Sequence, residues 1–273
     1  MAPRINVVKI AVHEYSPYRP QSTIHEFSSL VSQLFLLASR IEYTTHIETT
    51  PIELQLDAVN NLECINCSCF DSSDEAVQLA RQNAPTLQIL IIKMRQVIDV
   101  PGLIRDTNGR HVAYTCLHTL ELECQRRLDL SQRPVFVGTL FFPRLRHMDI
   151  KTDYPFGDDT LFRGNAGVLE YLSMELDIET VTMFKEYNVF TPTSHPKLRF
   201  VKVGNMQRLV PTYFATSVEY MQFVLGIAPG APTRVIYDTL SNVSSRLCSL
   251  CLVIIPAFRS CGCNLQACVS GIP

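Results

Sequence analysis

The chain is short of the features that usually announce a function. It has no tryptophan, few charged residues at 18%, and a formal net charge of only −2. So balanced a charge gives no electrostatic case for nucleic acid or an anionic membrane as a partner. The longest apolar stretch near the C-terminus, "LCSLCLVIIPAF", runs for 12 residues and contains a proline, whereas a membrane-spanning helix needs ~20 apolar residues. The N-terminal "MAPRINVVKIAVHEYS" carries an acid and lacks the apolar core of a signal peptide. The expected setting is therefore intracellular, cytoplasmic or nuclear, with reduced thiols.

Catalytic signatures are missing as well. None of the seven histidines stands in H-E-x-x-H, and no serine stands in G-x-S-x-G. "GNAG" has its glycines at the wrong spacing for a phosphate loop and reads as a turn. Asp158 and Asp159 read as a helix cap rather than an acid–base pair. Cys64 and Cys67 form C-x-x-C, but on a strand residues three apart point to opposite faces and cannot grip one metal. The expected roles are a buried Cys67 and a surface thiol at Cys64. Five cysteines near the C-terminus (Cys248, Cys251, Cys261, Cys263 and Cys268) match none of the usual zinc spacings. No enzyme, cofactor or metal centre is expected from these residues.

What the chain does have is repetition. "RQNAPTLQIL" at 81–90 returns as "RGNAGVLEYL" at 163–172, and "FPRLRHMDI" at 142–150 is echoed by "HPKLRFVKV" at 195–203. The common frame is L-x-x-L-x-L, with any aliphatic, Met, Cys or Tyr at L. It fits Ile5-Val8-Ile10, weakly Ala38-Ile41-Tyr43, then Leu62-Ile65-Cys67 and Leu87-Leu90-Ile92. It goes on through Leu117-Leu120-Leu122, Leu145-Met148-Ile150, Leu169-Leu172-Met174 and Leu198-Val201-Val203, with Pro232-Val235-Tyr237 as a doubtful ninth. The steps run from 24 to 34 residues.

The frame predicts strands, because its last two positions are two residues apart and share one face. Helix signals fall between the strands. Residues 22–40 have Ser22 or Thr23 as a cap and a stripe of Phe27, Leu30, Val31, Leu34 and Leu37. Ser72 and Glu75 have capping-box spacing, with Asn83 and Pro85 as a stop. Further helices are expected at "GDDTLFRGNAG", from Asp177, and from Thr216 or Ser217 to near Gly230. Residues 95–115 read as a long connection with a short helix at most. Strand–helix units cannot bury their apolar faces alone, so they must stack as a solenoid.

On these residues the chain resembles leucine-rich-repeat proteins, and among them the irregular repeats of fungal F-box-type substrate receptors. The resemblance covers residues 5–237 and implies an α/β solenoid, with a curved parallel sheet on the concave side and helices on the convex side. It departs from the family where Asn or Cys should follow the frame by three residues: Phe70, Arg95, Gln125, Asp153, Asp177 and Met206 stand there. No F-box-like helical segment precedes residue 5, and no capping repeat precedes the first strand. The expected organisation is a solenoid over 1–238 and a Cys/Ser-rich tail over 239–273, loosely ordered and dispensable for folding, in which Leu250 to Ile255 find no place in the frame.

The expected function is a non-enzymatic scaffold that binds a protein on its concave strand face. The narrower alternative is the substrate-recognition arm of an F-box-type ubiquitin-ligase receptor, whose scaffold partner would dock through a module absent from this chain; an enzyme is the remote alternative. The residues before, between and after the inward pair of each strand should line that face. His147, Tyr171 and Phe200 then fall side by side on three neighbouring strands, flanked by Asp149, Lys151, Glu175 and Lys202. Aromatic residues rimmed by charge are the expected partner-binding site.

Overall fold

The computed structural model describes residues 5–12, 21–45, 59–69, 74–94, 98–106, 108–124, 142–151, 167–175, 196–206, 218–227, 248–256 and 265–270. The chain forms two compact units, each built on a sheet of parallel strands laid down in sequence order. The first unit holds β1 (Ile5–Val12), β2 (Ala38–Thr45), β3 (Cys64–Cys69), β4 (Ile89–Met94) and β5 (Thr119–Cys124). Each pairs in parallel with the next. Three helices accompany them: α1 (Gln21–Leu37), α2 (Asp74–Gln82) and the single turn α3 (Val100–Ile104). The second unit holds β6 (His147–Lys151), β7 (Tyr171–Glu175), β8 (Phe200–Met206), β9 (Tyr220–Ile227) and β10 (Ser249–Pro256), again parallel and in order. Its last strand, β11 (Leu265–Ser270), runs antiparallel to β10. The chain is a parallel-strand solenoid.

The leucine frame explains the core. In the first unit Leu62, Leu87 and Leu117 are buried in the turns that lead into their strands, and Val8, Ile41, Ile65, Leu90 and Leu120 form a buried row across the sheet. Tyr43, Cys67, Ile92 and Leu122 form a second row two residues on. The second unit repeats the plan with Leu145, Leu169, Leu198 and Val218 in the turns and Met148, Leu172, Val201 and Met221 on the strands. The intervening residues are mostly half-buried, so each sheet has one core face and one open face.

Several expectations are corrected. Residues 220–227, read as helix, are strand β9. The sequence does carry its frame, as Val218-Met221-Phe223, but 20 residues after the preceding middle position rather than 34. The apolar run VEYMQFVLGI fits a helical stripe and a strand equally well, and parallel pairing with β8 decides between them. Leu250 to Ile255 also belong to the frame: Leu250 and Leu252 stand in register with Met221 and Phe223. The expected solenoid–tail boundary at 238/239 and the doubtful unit at 232–237 lie outside the described residues. So do the helices expected at 157–167 and from Asp177.

Among the described side chains of α1 the buried ones are Val31, Ser32 and Phe35, whereas Leu30 and Leu37 of the expected stripe are 54% and 41% exposed. The run LVSQLFLL is apolar round most of its circumference, so periodicity leaves the inward stripe open. An edge-on contact between Phe35 and Tyr43, with ring centroids 6.1 Å apart, selects it. The short connecting helix expected within 95–115 is α3, whose Asp99 accepts the Gly102 N–H at its start.

Asn83 does more than stop α2. It is buried, its Oδ1 accepts the Leu62 N–H at 2.8 Å, and its Nδ2 donates to the carbonyls of Val59 and Leu79 at 2.9 Å. This side chain ties the end of a helix to the turn ahead of β3. Asn83→Ala leaves the Leu62 N–H and the Val59 carbonyl buried without that partner and is expected to cost roughly 2–3 kcal/mol. A urea midpoint unchanged from the parent would show that the tie is dispensable. Asn165, its counterpart in the repeated motif, lies outside the described residues.

Candidate functional site

The open face of the second unit differs from that of the first. Across β1 to β5, the row before the buried pair reads Val7, Arg40, Cys64, Ile89 and Thr119 in continuous register. Its neighbouring row carries the ion pair Lys9–Glu42 at 2.7 Å, and Glu121 of that row meets Lys93 of the row beyond at 3.8 Å. Such exposed pairs contribute at most about 1 kcal/mol each. Cys64, expected at the surface, is buried there. Burial pushes its thiol above the ordinary range, and the adjacent Arg40 only partly offsets this. It is a shielded thiol and not a reactive one.

In the second unit the same row is aromatic. His147 pairs in register with Tyr171, and Tyr171 with Phe200. The rings stack: the His147 and Tyr171 centroids are 4.0 Å apart and those of Tyr171 and Phe200 4.4 Å apart, both pairs within 6° of parallel. The row continues to Tyr220 on β9, which stands in register with Phe200 and is 47% exposed. Sequence reading missed Tyr220 because 216–230 was read as a helix; the frame residues Val218 and Met221 around it were the available signal.

The backbone just before the row fixes this alignment. The Arg146 carbonyl accepts the N–H groups of Glu170 and Tyr171, both at 2.9 Å. The Glu170 carbonyl accepts those of Arg199 and Phe200 at 2.9 and 3.1 Å, and the Arg199 carbonyl accepts those of Glu219 and Tyr220 at 2.9 and 3.0 Å. Each ring is thereby held level with the last. The same turn residues alternate in charge, and Arg146–Glu170 and Arg199–Glu219 approach to 3.9 Å along the solvent side.

Comparison of the chain with protein-family models, curated proteins and solved structures finds no match. The site must therefore be read from its own chemistry.

Beside the rings runs a polar row, Asp149, Ser173, Lys202 and Gln222, again in register. The Asp149 Oδ2 lies 3.7 Å from the Lys151 Nζ two residues along the same strand. Its Oδ1 is buried with no hydrogen-bond partner, and Ser173 is buried beside it. Of the seven residues expected at the site, His147, Tyr171, Phe200, Asp149, Lys151 and Lys202 share this face. Glu175 stands in register between Lys151 and Gly204, and its side chain lies outside the described residues. Among the described residues, no group of three or more His, Cys, Asp or Glu is placed to hold a metal ion. No helix among them is long and apolar enough to cross a membrane.

Proposed function

We propose that this chain is a non-enzymatic binding scaffold that takes a protein partner on the open strand face of its second unit. The observation that carries this reading is the in-register ladder of stacked rings from His147 to Phe200, extended by Tyr220 and bordered by a polar row. Binding energy in protein interfaces concentrates in rigid aromatic anchors with a polar rim. Rings already stacked on one another lose little side-chain entropy when a partner arrives.

We read the repeat as leucine-rich-repeat-like, supported by the frame, the buried rows and helices of unequal length between the strands: 17 residues in α1, 9 in α2 and 5 in α3. That irregularity also favours the narrower reading, a substrate-recognition arm of an F-box-type ubiquitin-ligase receptor. We place the chain in a reducing, intracellular setting, to which the reduced thiols of Cys64 and Cys116 are suited.

The test is the double substitution Tyr171→Ala/Phe200→Ala, assayed by chemical cross-linking in cell extract followed by mass spectrometry. The expected result is loss of the cross-linked partners with an unchanged circular dichroism spectrum. A folded variant that keeps every partner would place the binding surface elsewhere.

A further inference from the structure

We infer that the ring ladder recognises a peptide segment bearing aliphatic side chains and an acidic side chain, and that it does so through ring edges. This rests on the protein-binding reading above and names the chemistry of the partner. The deciding observation is the stacking itself. Tyr171 has His147 parallel to one face at 4.0 Å and Phe200 parallel to the other at 4.4 Å. Both of its π-faces are therefore covered, and Phe200 has one face covered. What these half-buried rings offer outward is the rim.

That closes the central ring to two classes of ligand. Cations bind over ring faces, and nucleobases stack on ring faces; neither finds an uncovered face at Tyr171. A ring edge carries the positive end of the quadrupole, so it accepts aliphatic groups in van der Waals contact and draws electron-rich oxygens.

The neighbouring row supplies the rest. Lys202 stands in register between the neutral residues Ser173 and Gln222, one position along the strand from Phe200 in the open-face alternation. Its ammonium is the charge partner for a carboxylate. A peptide with aliphatic groups for the rims and a carboxylate for Lys202 meets both features.

The experiment uses the full chain and fluorescence anisotropy. Three labelled peptides share leucine at alternate positions and differ between them, carrying glutamate, serine or lysine; a labelled single-stranded oligothymidine is the stacking probe. The expected order is glutamate over serine over lysine, with the glutamate peptide about tenfold tighter than the lysine peptide and no binding of oligothymidine. Lys202→Gln should abolish the preference for glutamate over serine.

Tighter binding of the lysine peptide or of oligothymidine overturns the edge-recognition inference. If no peptide binds while cross-linked partners still depend on Tyr171 and Phe200, the acidic–aliphatic chemistry is wrong and the protein-binding reading stands. If the glutamate peptide binds a folded Tyr171→Ala/Phe200→Ala variant unchanged, the surface itself is wrong and both readings fall.

Discussion

A chain cut after residue 239 is expected to lose most of its soluble protein. The cut removes β10 and β11 and uncovers the outer edge of β9 over Tyr220–Ile227. That edge, YMQFVLGI, has no charged residue. A long, apolar, unpaired strand edge is a template for aggregation. Eight register pairs between β9 and β10 occupy it in the intact chain. The cut also removes Leu250 and Leu252, which stand in register with Met221 and Phe223. The measurement is the soluble fraction on expression together with analytical ultracentrifugation. A truncated chain that stays monomeric with an unchanged melting temperature would return β10 and β11 to the status of a dispensable tail.

Leu120→Ala is expected to destabilise the protein by roughly 2–5 kcal/mol, the range for deleting a well-packed buried leucine. Leu120 is 1% exposed, and its backbone stands level with Leu90 on the adjacent strand. Truncating it opens a cavity in the buried row beside Leu90, and rigid strands on a fixed register cannot collapse to fill it. The informative control is Glu121→Ala, one residue along. Glu121 lies on the open face and meets Lys93 at 3.8 Å, so its loss should cost less than about 1 kcal/mol. Urea denaturation of both variants tests the alternation directly. Equal losses, or a larger loss from Glu121, would mean that the strand's faces are exchanged.

The site was legible to the extent that it depends on strand alternation. Once Tyr171 and Phe200 were assigned to equivalent frame positions, parallel in-register pairing placed them side by side, because a period of two admits no other face. The partnership of rings with a polar row followed from the same count. Tyr220 was not legible, since a short apolar run is compatible with either helix or strand until a neighbouring edge claims it. The stacking, with both faces of Tyr171 covered, was not legible either. It depends on side-chain rotamers that the fixed strand spacing selects.

Local pattern alone specified the repeat, the strand positions from β1 to β8 and the inward middle residue of each of those strands, because a leucine frame must bury one face wherever it recurs. Tertiary structure decided which stripe of α1 is buried, that 220–227 and 249–256 are strands, and that Asn83 braces a turn twenty-one residues away in sequence at Leu62. The physical reason is common to all three. Local pattern restricts a segment to a few conformations of similar free energy, and contacts distant in sequence select among them: a ring from another strand, an open sheet edge, or a backbone group left without a partner.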